Sequence, residues 1–382
     1  MSLECTLVGA KILTSDGWSD APLSVSDGLI AADQTGRVID LSGYLVLPGI
    51  VDPHGDGFER HMAPRRGALR EAENGVVAVA AELAANGITT AVLAQFFSWE
   101  GGMRGPDFAE HVFQSVAAVR DSVAVDLQLQ LRLETHLLDD FARAEVAIER
   151  FGIGYVVFND HLPHQRLSEG RKPPRLTGQA LKSGRSPEAH LALMQDLHAR
   201  SSDVPAALDA LTERLVQQGI VLGSHDDSTP EDREEWAARG ATVSEFPETL
   251  EAAQAARDDG AQIVLGAPNV VRGASHAGNI AASELVAHGL CDALASDYHY
   301  PSPLRAAFRL EELGLCDLAS AWAMLSSGPA QMLGLADRGT LQPGKRADLI
   351  VVDPTTRRLE ATIAAGRVAH LTGTVAERFL RS

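Results

Sequence analysis

The sequence predicts an α/β fold, a (β/α)8 TIM barrel with a small β-sandwich domain built from both termini. The middle of the chain alternates short apolar segments with helix-length segments rich in Ala, Glu and Leu, such as 76–85 and 249–258. That alternation is typical of βα units and of a parallel sheet. Both ends of the chain instead carry short strand-like segments separated by turns. We therefore expect the sandwich to comprise residues 1–47 with 336–382, and the barrel to comprise residues 48–335.

The two ends of the chain have the pattern of antiparallel sheets. Asp-Gly pairs at 16–17 and 27–28 are typical of tight hairpin turns. The segments that we predict as sandwich strands are 5–8, 21–25, 29–32, 348–352, 358–363 and 367–371.

Eight segments in the middle of the chain are candidates for the barrel strands. Each is largely apolar, as expected for parallel strands that are covered on both sides. The predicted strands are 45–52, 88–93, 127–133, 154–158, 220–223, 241–246, 262–266 and 292–295. A barrel of this kind carries its active site at the carboxyl ends of its strands.

One polar and basic insertion, residues 163–188, is predicted to be a long loop after the fourth strand. Loops of that length without secondary structure are usually functional lids or mobile segments. Two interpretations of its charge remain open, a cover for a polyphosphate group and a solvated surface loop. The basic residues concerned are Arg166, Arg171, Lys172, Arg175, Lys182 and Arg185, with Arg60, Arg65 and Arg66 after the first strand.

Composition narrows the class of partner. The chain is 45% hydrophobic and 22% charged, which is ordinary for a globular protein with a buried core. Its net charge of -18 argues against nucleic acid and against an anionic membrane surface. A small anionic substrate is still compatible with that charge, because bound divalent cations can reverse the local field in a cleft.

The three cysteines, Cys5, Cys291 and Cys316, are scattered, so we expect no disulfide framework and a reducing cytoplasm. The start of the chain lacks the pattern of an export signal, and no apolar run reaches about 18 residues. The sequence therefore predicts neither export nor a membrane anchor.

Side chains of the kind that bind metals follow five of the predicted strands. Imidazole and carboxylate groups are the ligands of borderline and hard divalent cations. His54 and Asp56 lie two residues apart at a strand end, so their side chains point the same way. The full candidate set is His54, Asp56, Glu134, His161, His225 and Asp297.

A single histidine at a strand end is more often a loop residue than a ligand, and it is the shared position of all six candidates that predicts a metal site. His161 is the least secure of them, because His136 and His164 lie nearby in the sequence.

Several motifs resemble the amidohydrolase superfamily across essentially the whole chain. They are LPGIVDPHGD, GITTAV, the aspartate after the last barrel strand and GTLQPGKRADLIVVD. The second half is most similar to the branch of that superfamily in the carbon–phosphorus lyase pathway, which hydrolyses α-D-ribose 1-methylphosphonate 5-triphosphate to the 5-phosphate and diphosphate. The motifs concerned are GSHDDSTPED, SEFPETLEAAQAARDDG, VLGAPNVVRGASHAGNIAASELV and ASDYHYPSPLRAAF.

The resemblance implies two divalent cations, Zn first, with Mn, Fe or Ni as the other candidates. His54, Asp56 and Asp297 would hold one cation. His161 and His225 would hold the second, and Glu134 would bridge the pair where many relatives use a modified lysine. The superfamily places its two lone histidines after strands five and six, whereas here they follow predicted strands four and five, so either a strand has been missed or this branch differs.

The mechanism that we expect is attack of a metal-activated water on phosphorus, with Asp297 taking the proton. Asp297 and His225 are the candidate catalytic residues. The segment after the seventh strand is open to two interpretations, an anion-binding loop at a helix N-terminus and a polar loop capping a helix that starts near Gly278. Its candidate substrate-binding residues are Asn269, Arg272, Ser275 and His276, and Glu245 after the sixth strand is added to them.

Two other functions remain open at this point. The same metal centre would serve cleavage of a C–N or amide bond, the commonest chemistry of the superfamily, and a non-catalytic barrel is the third alternative. The chain also departs from the pathway enzyme, with GALREAE and QALKSGRS where that branch tends to carry Tyr and Trp motifs. The sequence leaves the oligomeric state open, and a homo-oligomer is compatible with the superfamily.

Overall fold

A computed structural model describes residues 2–62, 71–273 and 279–381 of the chain. The strands in these ranges are β1 Cys5–Val8, β2 Lys11–Thr14, β3 Gly17–Ser19, β4 Leu23–Ser26, β5 Leu29–Ala31, β6 Arg37–Asp40, β7 Leu45–Pro48, β8 Ile50–Gly55, β9 Ile88–Phe97, β10 Asp126–Glu134, β11 Tyr155–Asn159, β12 Val221–His225, β13 Val243–Glu245, β14 Gln262–Gly266, β15 Ala293–Ala295, β16 Leu349–Val352, β17 Leu359–Ala364 and β18 Arg367–Leu371.

The helices in the same ranges are α1 Glu59–Met62, α2 Ala72–Ala85, α3 Pro106–Val119, α4 Phe141–Phe151, α5 His164–Ser168, α6 Leu176–Ser183, α7 Pro187–Ala199, α8 Val204–Gln217, α9 Pro230–Ala238, α10 Leu250–Asp258, α11 Ala267–Arg272, α12 Ala282–Ala287, α13 Ser302–Glu312, α14 Leu318–Ala323, α15 Ser327–Met332 and α16 Gly373–Arg381. Single 3-10 turns occupy Gly102–Arg104, Arg120–Ser122, Leu138–Asp140 and Ser201–Asp203.

The predicted barrel is confirmed. Its sheet has eight strands in the order β15-β14-β13-β12-β11-β10-β9-β8. A parallel bridge between Gly55 and Asp297 joins the ends of the first and last strands. Because neighbouring strands in this order are hydrogen-bonded to one another, the described residues contain no further barrel strand between them. His161 follows strand four, and His225 is the last residue of strand five.

The prediction of one continuous strand over 45–52 is wrong. The segment divides at Gly49 into β7 and β8, which belong to different sheets. β7 pairs with β16, with Leu45 opposite Val352. An apolar run carries no mark of where one buried strand ends and the next begins, so hydrophobicity alone could not locate this break.

The remaining sheets are built from the terminal segments and form a separate β domain, as predicted. One has four strands in the order β5-β4-β1-β6, and the other has six in the order β18-β17-β16-β7-β2-β3. Asp27 and Gly28 both have positive φ in the predicted hairpin turn, which is the backbone of a type I′ turn. The apolar core of this part includes Leu7, Val351 and, from the C-terminal helix α16, Phe379.

The insertion at 163–188 is helical rather than a loop, so that prediction is also wrong. It contains α5 and α6 and the start of α7. Leu176 and Ala180 lie one turn apart on α6 and are both buried. The Ser186 side chain caps α7 by accepting a hydrogen bond from the Ala189 N–H. The polar composition and prolines of the segment hid this apolar spacing.

The chain forms two compact units, with residues 1–93, 118–128 and 264–382 in unit 1 and residues 94–117 and 129–263 in unit 2. The domain limits 1–47 with 336–382 and 48–335 stay a prediction. Across the described ranges, no helix has both the length and the hydropathy that a membrane span needs. The three cysteines, which all lie in those ranges, are free thiols.

Candidate metal centre

In unit 1, the ends of β8 and β15 bring three candidate ligands next to one another in the backbone. The Asp297 N–H donates to the His54 carbonyl oxygen at 3.0 Å, and the Asp56 N–H donates to the Asp297 carbonyl oxygen at 2.9 Å. His54 is fully buried. Asp297 has φ of 54°, a left-handed conformation that is uncommon for a residue other than glycine and that accumulates at functional sites.

A buried carboxylate beneath these ligands fixes the end of β15. Asp52 accepts hydrogen bonds from the Ser296 N–H at 2.8 Å and from the Ser296 hydroxyl at 2.5 Å. Burial raises the pKa of Asp52, and the two bonds from Ser296 oppose that rise. Because Ser296 directly precedes Asp297, this pair holds the backbone from which the Asp297 carboxylate projects.

In unit 2, β10 presents alternate polar side chains along its length. Gln130, Arg132 and Glu134 are all buried and share one face of the strand, because side chains two residues apart point the same way. Each of them contacts a polar residue from a following strand or strand end. β10 is therefore the element around which the polar residues of this unit are arranged.

Glu134 is a buried carboxylate of unit 2, and both of its oxygens are in hydrogen-bond contact with other residues. Its Oε1 contacts His161 Nδ1, and its Oε2 accepts hydrogen bonds from the Trp99 indole N–H at 3.0 Å and the His161 backbone N–H at 3.2 Å. Burial by itself would lower the pKa of His161, but the contact with Glu134 raises it. The structure therefore brings Glu134 and His161 together, and neither His136 nor His164 takes that place.

Both imidazole nitrogens of His225 are engaged. Arg132 donates to Nε2 at 3.0 Å, and Nδ1 lies 2.9 Å from Asp226 Oδ2. Burial lowers the pKa of His225, and the Arg132 charge lowers it further. A cation at His225 would have to replace one of these two contacts.

A buried network behind β12 supports His225. Asp227 Oδ2 accepts hydrogen bonds from the hydroxyls of Ser224 at 2.6 Å and Ser244 at 2.7 Å. The fully buried guanidinium of Arg233 donates to the Ser224 hydroxyl oxygen at 2.8 Å and to Asp259 at 2.7 Å. Ser224 is next to His225 in the chain, so the network fixes the backbone from which the imidazole projects.

Glu245, a candidate for substrate contact, is fully buried at the end of β13. Its Oε1 accepts hydrogen bonds from the Tyr155 hydroxyl at 2.7 Å and from the Gln130 amide at 2.8 Å. Burial, followed by the Glu245 charge, raises the pKa of Tyr155 well above its usual value. Glu245 is therefore an interior, hydrogen-bonded carboxylate rather than a surface residue.

The segment after β14 is described on both sides of residues 274–278, and its two interpretations stay predictions. Asn269 and Arg272 lie in the short helix α11, and the Asn269 side chain accepts a hydrogen bond from the Ala282 N–H at 3.1 Å, where α12 begins. Arg272 Nη1 donates to the Tyr298 hydroxyl oxygen at 3.3 Å. Ser275 and His276 lie outside the described residues, as does Gly278, near which a helix start was predicted; α12 instead begins at Ala282.

The basic residues of the insertion do not act as one group. Arg185 is tied to backbone, with Nη1 donating to the carbonyl oxygens of Trp99 and Glu100 at 2.9 Å each. The others are exposed, namely Arg166, Arg171, Lys172, Arg175 and Lys182. In unit 1, Arg60 contacts Glu82, and Arg65 and Arg66 lie outside the described residues.

Unit 2 contains a cavity of about 410 Å³ that is open to solvent and that His161 and His225 both line. Arg239 is the one arginine in its lining, and it pairs with Asp209 at 2.8 Å. The carboxylates of the lining are Asp160, Asp226, Asp227, Asp232 and Glu235. The wall of the described cavity is thus acidic, and an anion would enter it only alongside a bound cation.

The donor sets of the two units fit divalent cations. Unit 1 offers a buried imidazole and two carboxylates from paired strand ends, and unit 2 offers a buried carboxylate in contact with an imidazole. Mixed nitrogen and oxygen donors suit Zn²⁺ and its neighbours among the transition metals.

Comparison with known proteins identifies the family. The family model described as the amidohydrolase family matches residues 68–372. The chain belongs to the amidohydrolase family. It is also 33% identical over 354 residues, 89% of this chain and 93% of the relative, to the α-D-ribose 1-methylphosphonate 5-triphosphate diphosphatase of Escherichia coli strain K12. This amidohydrolase is therefore a hydrolytic enzyme, and the resemblance seen in the sequence motifs is confirmed.

Two solved structures of other enzymes superpose on most of the chain. A Xaa-Pro dipeptidase with bound methionine has a TM-score of 0.64 at 15% identity, covering 96% of this chain and 99% of its own. A triazine hydrolase variant has a TM-score of 0.63 at 14% identity, covering 99% of this chain and 98% of its own. At such identities the likeness supports the fold of the amidohydrolase and says nothing about its substrate.

Several residues of the amidohydrolase site were not found from its sequence. Asp52 could have been found, because it shares a strand face with His54 and Asp56 two and four residues on. Arg132 could also have been found, as a charged residue within an otherwise alternating strand. Trp99 carried no signal, because its bond to Glu134 joins parts of the chain that are 35 residues apart.

Proposed function

We propose that the protein hydrolyses a phosphoanhydride, releasing diphosphate from α-D-ribose 1-methylphosphonate 5-triphosphate or a related phosphorylated compound. The observation that carries this proposal is the 33% identity to the E. coli diphosphatase over nearly the whole of both chains. The reaction belongs to phosphonate catabolism, and a cytoplasmic enzyme with a small anionic substrate and no nucleic-acid or membrane partner is part of the same proposal.

In this proposal His54, Asp56 and Asp297 bind one divalent cation, and Glu134, His161 and His225 bind a second. Zn²⁺ is the first candidate. When bound, such a cation lowers the pKa of a water molecule toward ~7 and draws charge from a phosphoryl oxygen. His225 would bind through Nε2 in place of the Arg132 contact, and Nδ1 would keep the neighbouring Asp226 carboxylate at 2.9 Å, which is the kind of group toward which metal-ligating histidines direct their second nitrogen.

Asp297 is the proposed proton acceptor. Its carboxylate can contact the cation with one oxygen and take a proton from the attacking water with the other. The Asp52–Ser296 pair supports this role, because it holds the residue before Asp297 by two hydrogen bonds. Diphosphate is a fair leaving group, so the remaining demand is stabilisation of charge on the non-bridging oxygens.

A second candidate reaction is cleavage of a C–N or amide bond. The acidic wall of the unit 2 cavity favours it, because five carboxylates against one arginine suit a neutral or cationic substrate better than a triphosphate. This wall and the sequence relationship favour different substrates, so the two reactions must be compared directly.

The deciding experiment supplies the metal-replete enzyme with ribose 1-methylphosphonate 5-triphosphate and measures diphosphate, with a panel of N-acyl, dipeptide and cyclic amide substrates in parallel. We expect diphosphate and ribose 1-methylphosphonate 5-phosphate in equal amounts. The Asp297→Asn enzyme is the matched control for contaminating phosphatases. Turnover of an amide with no diphosphate from the triphosphate would reverse the ranking.

A further inference from the structure

A second cluster of metal-type side chains lies in unit 2, apart from the six candidate ligands of the metal centre. It consists of His136, two residues after β10, Asp160, directly after β11, and His164, the first residue of α5. One donor atom from each of these three lies within 4.8 Å of the others. His198, near the end of α7, completes the group beside His164, with ring centroids 5.0 Å apart.

The donor atoms have nearly the spacing of a coordination sphere. Asp160 Oδ1 lies 3.6 Å from His136 Nδ1, and Asp160 Oδ2 lies 3.0 Å from His164 Nε2. Bonds of ~2.0–2.2 Å to a tetrahedral Zn²⁺ place neighbouring ligand atoms about 3.4 Å apart. The two measured distances therefore differ from that spacing by less than about 0.5 Å each, and the donor atoms of all three residues lie within 4.8 Å of one another.

The outer nitrogens of both imidazoles are also hydrogen-bonded. His164 Nδ1 lies 2.8 Å from His198 Nδ1, and His136 Nε2 lies 3.3 Å from the Ser201 hydroxyl. Metal-ligating histidines almost always donate their second N–H to such a partner, which sets the tautomer and the ring orientation. Here the nitrogens that face Asp160, His136 Nδ1 and His164 Nε2, would bind the cation, and His136 Nδ1 would give up its 3.1 Å contact with the Thr135 hydroxyl to do so.

The surroundings favour a cation and leave it accessible. His136, Asp160 and His164 all line the 410 Å³ cavity, whose wall carries five carboxylates and one arginine. The Asp160 and His164 side chains are 40% and 35% exposed, whereas His136 is 5% exposed and anchors the cluster. A fourth coordination position would face the cavity and admit water or a group of a ligand.

We propose that His136, Asp160 and His164 form an auxiliary site for a borderline divalent cation such as Zn²⁺ or Co²⁺, oriented by His198 and Ser201. The site is separate from the proposed catalytic ligands, and it does not depend on the proposed reaction. An ion bound there adds positive charge to the acidic wall of the cavity that His161 and His225 also line.

The test compares metal binding by full-length wild-type and His164→Ala proteins. Each is stripped with a chelator and titrated with Co²⁺, followed by calorimetry and by visible absorption. We expect the variant to bind one equivalent fewer than the wild type, with the other equivalents unchanged. His111→Ala, which removes an exposed histidine of unit 2, is the matched control and should bind as the wild type does.

The His198→Ala variant tests the orienting bond. It keeps all three ligands, so it should bind as many cations as the wild type. The cation at the auxiliary site should be bound about 10- to 100-fold more weakly. A His164→Ala protein that binds as many equivalents as the wild type, at the same affinities, overturns the site. Diphosphate release is measured on the same preparations. If the wild type releases none, the proposed reaction is wrong, but the number of Co²⁺ ions bound per protein still decides whether the auxiliary site exists.

Discussion

The sharpest prediction concerns the buried ion pair behind β12, Arg233 with Asp259. The Arg233 guanidinium is fully buried, and its Nε donates to Asp259 at 2.7 Å. The next carboxylate, Asp227, lies at 4.0 Å, and burial raises its pKa. Asp259→Ala therefore leaves the buried guanidinium with neutral hydrogen-bond acceptors and with Asp227 at 4.0 Å as its remaining carboxylate partner.

Removing one partner of a buried pair costs about 3–5 kcal/mol. The Asp259 side chain is 25% exposed, so water reaches one side of the pair and the lower end of that range applies. We expect Asp259→Ala to lower the free energy of unfolding by about 3 kcal/mol. With a urea m-value of ~3 kcal/mol/M, the midpoint should fall by about 1 M.

The assay is urea unfolding followed by far-UV circular dichroism. Glu377→Ala is the matched control, because it removes the carboxylate partner of Arg381 from a fully solvated pair whose side chains are 79% and 62% exposed. That pair should contribute no more than ~0.5 kcal/mol. A change below about 1 kcal/mol for Asp259→Ala, similar to the control, would refute the argument that burial makes this charge dependent on its partner.

Three further predictions follow from the site and its supports. Asp297→Asn should unfold like the wild type yet lose at least ~100-fold in turnover, as steady-state kinetics would show; near-normal turnover would remove Asp297 from the mechanism. Tyr155→Phe removes the hydroxyl that donates to the buried Glu245 and should cost about 1–3 kcal/mol in urea unfolding; an unchanged midpoint would mean that water replaces the hydroxyl. Burial raises the pKa of Asp348 above 3.8, so its contribution to stability is present below that pH and is lost as pH rises through the folded pKa. Relative to wild type, Asp348→Asn should therefore gain stability as urea unfolding is repeated from pH 4 to pH 7, and a constant difference would contradict this.

Much of the fold could be predicted from local patterns. Segments 262–266 and 367–371 have the same bounds in the prediction and in the structure. The first is an apolar run that marks a buried strand, and the second is a half-exposed strand that starts directly after the turn at Gly366. Position at a strand end also selected His54 and Asp297, since barrels place their chemistry there. The sequence by itself therefore determined the fold class, the family and the strand ends that carry the candidate ligands.

Tertiary structure decided which of these side chains meet. Three histidines compete near β11, and only the folded chain assigns His161 to Glu134 and directs His136 and His164 to Asp160. Spacing in the sequence could not separate them, because the partner strand β10 ends more than twenty residues before β11 begins. A contact between two side chains depends on the register and direction of both elements that carry them. The sequence of one segment shows only how side chains alternate along that segment, so it cannot identify the partner.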